Sequence, residues 1–180
     1  MKKIVLFLLF PVLTYGQVQI GQNIDGEAEN DGSGRSVSIS SDGTIVAIGA
    51  PGNSNGSGHV RVFEIINNDW IQIGQDIDGE AEGDTLGRTV SISSDGTIVA
   101  IGAQRSDNYT GYVTIYENIN DNWVQIGQKI NGETDFDEFG ASISLSSDGT
   151  IIAIGATFYD GNGSDSGYVQ VYDNQIGNWT

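Results

Sequence analysis

Apolar and polar residues alternate along most of this chain, and the alternation breaks at regular intervals. Residues 35–40 place Val37 and Ile39 on one face and Ser36, Ser38 and Ser40 on the other, the period-two pattern of a half-buried strand. Residues 44–50, Thr-Ile-Val-Ala-Ile-Gly-Ala, are apolar on both faces, which predicts a strand covered on both sides. Between them lies Asp42-Gly43. This pair predicts a β-hairpin, because Gly takes positive φ freely and Asp tolerates it. Further strands are predicted over residues 18–22, where Val-Gln-Ile-Gly-Gln alternates, and over residues 59–64. A helical period of 3.6 holds nowhere.

The segment at 40–50 returns unchanged at 93–103, and at 146–156 with Ile152 in place of a valine, 53 residues apart each time. Three units follow, at 18–70, 71–123 and 124–179, each ending in a tryptophan. The third is three residues longer, and the extra length falls in the loop between Ala156 and Gly167. Four short strands in about 50 residues, repeated, are the mark of a β-propeller blade. The predicted fold is therefore all-β, with blades of four antiparallel strands. Trp70, Trp123 and Trp179 are expected to pack between blades. Three blades do not close a ring, which takes about four to eight, so the propeller is expected to be incomplete or open. In this frame residues 18–22 form an outer strand without a sheet of its own, and Thr180 falls where the third blade needs its outer strand. Either the chain is a piece of a longer protein, or copies share one ring. The missing blades would come from a C-terminal continuation or from another copy.

Residues 1–16 change the picture. Lys2 and Lys3 precede an apolar run too short for a membrane span, with small residues near Gly16, the pattern of a secretory signal peptide. The remainder, 17–180, reads as the partial propeller, expected to be secreted or at the cell surface and without membrane insertion once the signal is removed. Seven Lys and Arg against 24 Asp and Glu give a net charge of −17, which repels nucleic acid and anionic membranes. No cysteine is present, so disulfides, thiolate metal sites and thiol catalysis are excluded. The one histidine, His59, aligns with Tyr112 and Tyr168 and takes an aromatic structural slot. With one His and no Cys, the usual nucleophile–base pairs cannot be assembled, and no enzyme activity is expected.

The segments Leu86-Gly87-Arg88-Thr89-Val90-Ser91 and Phe139-Gly140-Ala141-Ser142-Ile143-Ser144, each followed by Ala-Ile-Gly-Ala, resemble FG-GAP repeats. Only the third unit carries a true Phe-Gly. With its Trp-x-Gln-Ile-Gly-Gln spacers the chain is similar to secreted FG-GAP-like proteins typical of the Bacteroidetes. The resemblance implies a propeller like the integrin α-subunit head. Integrin-type repeats bind calcium through loops of Asp-x-Asp-x-Asp-Gly type. That full motif is missing here, so the family's ligands are not carried over.

The acidic loops are the candidate site. Asp76, Asp78, Glu80, Glu82 and Asp84 alternate with small residues and offer hard oxygen ligands suited to calcium, or else form a solvated acidic loop. The first unit has Asp25, Glu27, Glu29 and Asp31, and the third has Glu133, Asp135, Asp137 and Glu138. A later loop carries Asp160, Asn162 and Asp165. Arg35 and Arg88 are expected to pair with nearby loop carboxylates. The expected function is a binding or adhesion module for protein or carbohydrate. The alternatives are a part of a secreted polysaccharide-degrading enzyme, where carboxylate pairs would act, or a structural spacer.

Overall fold

The computed structural model describes residues 16–175 and 177–180; the signal-peptide prediction lies outside these except for Gly16. Three antiparallel sheets follow one another along the chain. The first holds β1 (Ser36–Ile39), β2 (Ile45–Ala50), β3 (His59–Ile66) and β4 (Asp69–Gln72), paired in that order, with β5 (Ile77–Asp78) also on β3. The second repeats this with β6 (Thr89–Ile92), β7 (Ile98–Ala103), β8 (Tyr112–Asn118), β9 (Trp123–Gln125) and β10 (Ile130–Asn131). The third holds β11 (Phe139–Leu145), β12 (Ile151–Ala156), β13 (Tyr168–Gln175) and β14 (Asn178–Trp179). These are the predicted four-stranded blades.

The expected outer strand at 18–22 does not form. Residues 17–20 lie outside regular structure and Val18 is 88% exposed. The equivalent residues Ile71 and Gln72 are paired because β3 lies beside them, at Glu64 and Phe63. No strand among the described residues offers 18–22 such an edge. The third blade also differs from expectation. Its outer strand is present, shortened to the two residues of β14, which pair with Gln175 and Asn174.

The hairpin turns exist, but not for the reason the Asp-Gly pair suggests. Gly43, Gly96 and Gly149 take φ of 76°, 77° and 71°, whereas Asp42, Asp95 and Asp148 stay out of the left-handed region. The aspartate acts as an acceptor instead. Asp42 Oδ1 accepts from Ser40 Oγ at 2.7 Å, Thr44 N at 3.0 Å and Thr44 Oγ1 at 2.8 Å. Ser40 Oγ in turn accepts from Ile45 N at 2.9 Å. The other two turns repeat every bond. Donors crowding one oxygen favour its charged form, led by the serine, and they hold the Asp148 carboxyl down at about 2.

The first strand of each blade turns its apolar residues to the blade before it and its serines to the blade after it. Ile92 is buried, while its counterpart Ile39, with no earlier blade among the described residues to cover it, is exposed. On the other face Ser36 Oγ donates to Gly87 O at 2.7 Å, and Ile92 N donates to Ser38 Oγ at 3.1 Å. Leu145 N donates to Ser91 Oγ at 3.0 Å at the next junction. Two buried clusters result. One, around Val60, Leu86, Ile101 and Trp123, joins the first two blades. The other, around Ile115, Phe139, Ile154 and Trp179, joins the last two.

The spacer that separates the units is a clamp between blades. Trp123 Nε1 donates to Ile73 O at 2.9 Å, and Gln75 closes the loop by accepting from Trp123 N at 3.2 Å and donating to Trp123 O at 2.9 Å. Gly74, at φ 74°, leaves room for the indole, since a Cβ there would meet Trp123 Cδ1 at 2.8 Å. Trp70 and Trp179 make the same indole bond to Ile20 O and Ile126 O. Trp123 and Trp179 thus pack between blades, as expected, whereas Trp70 closes on residues 20–22, which belong to no blade. Their bonds explain why Trp and Ile-Gly-Gln recur together.

Candidate functional site

The five carboxylates expected to gather around calcium point to different partners. Asp76 Oδ1 accepts from Gln72 Nε2 at 2.6 Å and its other oxygen faces His59. Asp78 is in β5, paired with His59 through the backbone. Glu80 is bound to Lys129 at 2.6 Å. Glu82 is exposed. Asp84 is buried and accepts from Ala81 N at 3.3 Å and from the Tyr112 hydroxyl at 3.2 Å. Burial, followed by the Asp84 charge, raises the Tyr112 hydroxyl well above its ordinary value. No three of the five bring ligand atoms within 4.8 Å of one another. Asp84 is instead a loop brace, as is Asp31, which accepts from Ala28 N at 2.8 Å. Arg35 and Arg88 make no ion pair among the described residues. Burial, then the nearby Arg35 and Arg105 charges, lowers the pKa of the Arg88 guanidinium.

The third unit departs from the other two. In the first two blades the loop after the second strand closes in a single turn, at Asn53–Gly56 and Ser106–Tyr109. The three extra residues of the third loop replace that turn. A cleft of about 640 Å³ opens between residues 158–165 and the acidic loop 134–138, with Tyr109 on its rim. Phe136, Phe158 and Tyr159 line it beside Asp135, Asp137, Glu138, Asp160 and Asp165. Several of these carboxylates are engaged: Glu138 accepts from Gln104 Nε2 at 3.0 Å, and Asp135 from Thr110 Oγ1 at 3.1 Å. Asp137 is buried, and its Oδ2 has no partner among the described residues.

Two aromatic residues on this cleft occupy backbone positions that aromatic residues avoid. Phe136 has φ 69° and Tyr109 φ 63°. The first unit has Asn30 and Gly56 at these places, and the second has Gly83 at the first of them. Left-handed φ at a bulky residue costs on the order of 1–3 kcal/mol, and such strain gathers at functional positions. The strained conformation is held by Phe136 N donating to Asn108 O at 3.0 Å and Glu138 N donating to Tyr109 O at 2.8 Å. The two rings stack at 6.1 Å, and Phe136 remains 65% exposed. The repeat comparison was available in the sequence, where Phe136 stands opposite Gly83. The sign of φ that makes it costly was not.

Residues 131–172 match the model of the FG-GAP repeat. No curated protein matches the sequence. Among solved structures the chain is similar to a candidate 6-phosphogluconolactonase from Bacteroides fragilis, at 14% identity and a TM-score of 0.59, over 85% of this chain and 38% of that one. It is also similar to a candidate 6-phosphogluconolactonase from Bacteroides uniformis, at 16% identity and a TM-score of 0.55, over 81% and 38%. Saccharomyces cerevisiae Sqt1 matches at 14% identity and a TM-score of 0.54, over 84% and 35%. The chain thus spans between 35% and 38% of the length of these proteins. At such identities the likeness is one of fold. Residues 131–172, in the third unit, thus match the FG-GAP repeat, and the sheet order and the structural matches give the described residues a run of propeller-like blades.

Proposed function

We propose that this chain is an extracellular binding module, and that the cleft of the third blade takes a basic segment of a protein ligand. The stacked Tyr109 and Phe136 carry this reading. Phe136 leaves most of its ring open to solvent although its backbone is strained, which suits a contact completed by a partner. Asp135, Asp160 and Asp165 beside them favour Lys or Arg, whose stems pack on rings while their charges meet carboxylates. Export fits the leader pattern, and no helix among the described residues is long and apolar enough to cross a membrane.

Phe136→Gly separates binding from folding. Glycine relieves the left-handed strain, so the melting temperature is expected to hold or rise, by up to about 1 kcal/mol in stability. Binding to Lys- and Arg-bearing peptides on an array is expected to fall at least tenfold. Binding by the unmodified chain to glycans but not to basic peptides would contradict the reading. So would peptide binding that Phe136→Gly leaves intact.

A further inference from the structure

The first blade holds a second cluster that the cleft does not use. His59 Nδ1 lies 3.8 Å from Glu27 Oε2 and 3.8 Å from Asp76 Oδ2, and these three ligand atoms lie within 4.8 Å of one another. The imidazole is almost wholly buried at the start of β3. Its Nε2 is buried with no partner among the described residues, and Nδ1 is the nitrogen that faces the carboxylates. The remaining oxygens of the two acids are held by neighbours. Asp76 Oδ1 accepts from Gln72 Nε2 at 2.6 Å, and Arg61 Nη1 stands 3.5 Å from Glu27 Oε1. One oxygen of each acid is thereby aimed at the imidazole, the arrangement that outer-shell partners give to metal ligands.

The second blade shows what belongs at this place. One repeat on, Glu27, His59 and Asp76 become Glu80, Tyr112 and Lys129. There the Lys129 ammonium binds Glu80 Oε2 at 2.6 Å and lies over the Tyr112 ring, 4.5 Å from its centroid. A positive charge thus fills the gap between the acidic loop and the aromatic slot. In the first blade that built-in cation is replaced by a carboxylate, and the aromatic ring by an imidazole. Two acids then face one nitrogen donor, with Arg61 the one Lys or Arg among the described residues paired to either acid.

We propose that Glu27, His59 and Asp76 bind a divalent first-row transition metal ion in place of the Lys129 ammonium. One imidazole and two carboxylates suit zinc, with water as a fourth ligand, whereas calcium prefers oxygen ligands alone. Ligand atoms around tetrahedral zinc, bonded at about 2.0–2.1 Å, stand roughly 3.3 Å apart. The two imidazole–carboxylate spacings of 3.8 Å therefore need to close by about half an ångström and the two carboxylates, within 4.8 Å of each other, by up to roughly 1.5 Å, through movement of the partly exposed Glu27 and Asp76 side chains.

The full chain titrated with zinc chloride in a non-coordinating buffer tests this. His59 is the only histidine, so one imidazole signal in the NMR spectrum reports the site directly. The expected result is one equivalent of zinc bound, with that signal shifted. Asp76→Lys rebuilds the arrangement of the second blade, so it is expected to fold with an unchanged melting temperature. Losing a ligand should cost more than losing an outer-shell partner, so affinity should drop by more than about 100-fold. An imidazole signal that zinc leaves unmoved would overturn the proposal. Equal zinc binding by the Asp76→Lys chain would overturn it too, pointing to the acidic loops in general. The cleft of the third blade is untouched by this variant, so the outcome is independent of the peptide-binding test.

Discussion

Gly102→Ala is expected to lower the melting temperature sharply, while Gly155→Ala, at the same place one repeat later, leaves it nearly unchanged. Gly102 lies in β7, where a Cβ would come within 2.6 Å of Gly140 O and 3.1 Å of Ile143 Cδ1, both in the next blade. That carbonyl is also the acceptor of Thr89 Oγ1 at 2.6 Å, so the intruding methyl breaks a bond as well as crowding a contact. Overpacking costs about 1–3 kcal/mol and the hydrogen bond about 1 more, or roughly 5–15 °C for a chain of this size. Gly155 has no carbonyl of another blade near it. Its Cβ would crowd only the side chain of Ser142, which can rotate away, and the expected loss is under about 1 kcal/mol. Thermal melts of the two variants by circular dichroism make the comparison. Equal losses would mean that these glycines serve their own sheets and not the approach of the next blade.

Phe139→Ala is expected to cost more still, about 3–5 kcal/mol, out of a total that is commonly 5–15. The ring is wholly buried in the cluster that joins the last two blades, 6.2 Å from the Tyr168 ring. Its backbone N–H donates to Thr110 O of the previous blade at 3.0 Å, so the side chain fills the space that this junction encloses. Leu86 takes the same place at the first junction and is equally buried. Phe139→Leu should therefore be tolerated, at under about 1.5 kcal/mol. Chemical denaturation of both variants checks this. A Phe139→Leu chain as unstable as the alanine variant would show that the two junctions are not built alike.

Much of this architecture was legible because the units repeat. The period placed the three Asp-Gly hairpins and the three doubly apolar strands, and the strand at 98–103 does lie covered on both sides, as its pattern implied. What failed was local. Residues 18–22 alternate as well as residues 71–75 do, but alternation shows only that a strand suits the residues. A partner edge is also needed, and residues 18–22 find none among the described residues. Asp42 was read as a residue tolerant of positive φ, whereas its work is to gather three donors on one oxygen. The acidic loops looked like one kind of site repeated. Their carboxylates were divided among a brace at Asp84, a pair at Glu80 and a cluster at Asp76, and spacing along the chain cannot reveal that division. The cleft went unseen for a similar reason. The extra loop length was visible, but not that it would open a cavity beside Phe136.

Three like sheets stack, so that the middle one is covered by both neighbours. Equivalent residues differ accordingly: Val113 and Ile115 are both 0% exposed, while Val169 and Val171 in the third blade are 67% and 64% exposed. Stability in such arrays is distributed by neighbour contacts and is not uniform. Amide hydrogen exchange, read segment by segment in dilute solution, measures this distribution. Slowest exchange in β7 and β8, with β1 and β13 at least about tenfold faster, is the pattern the stack predicts. Equal protection in all three units, or greater protection in β13 than in β8, would contradict it.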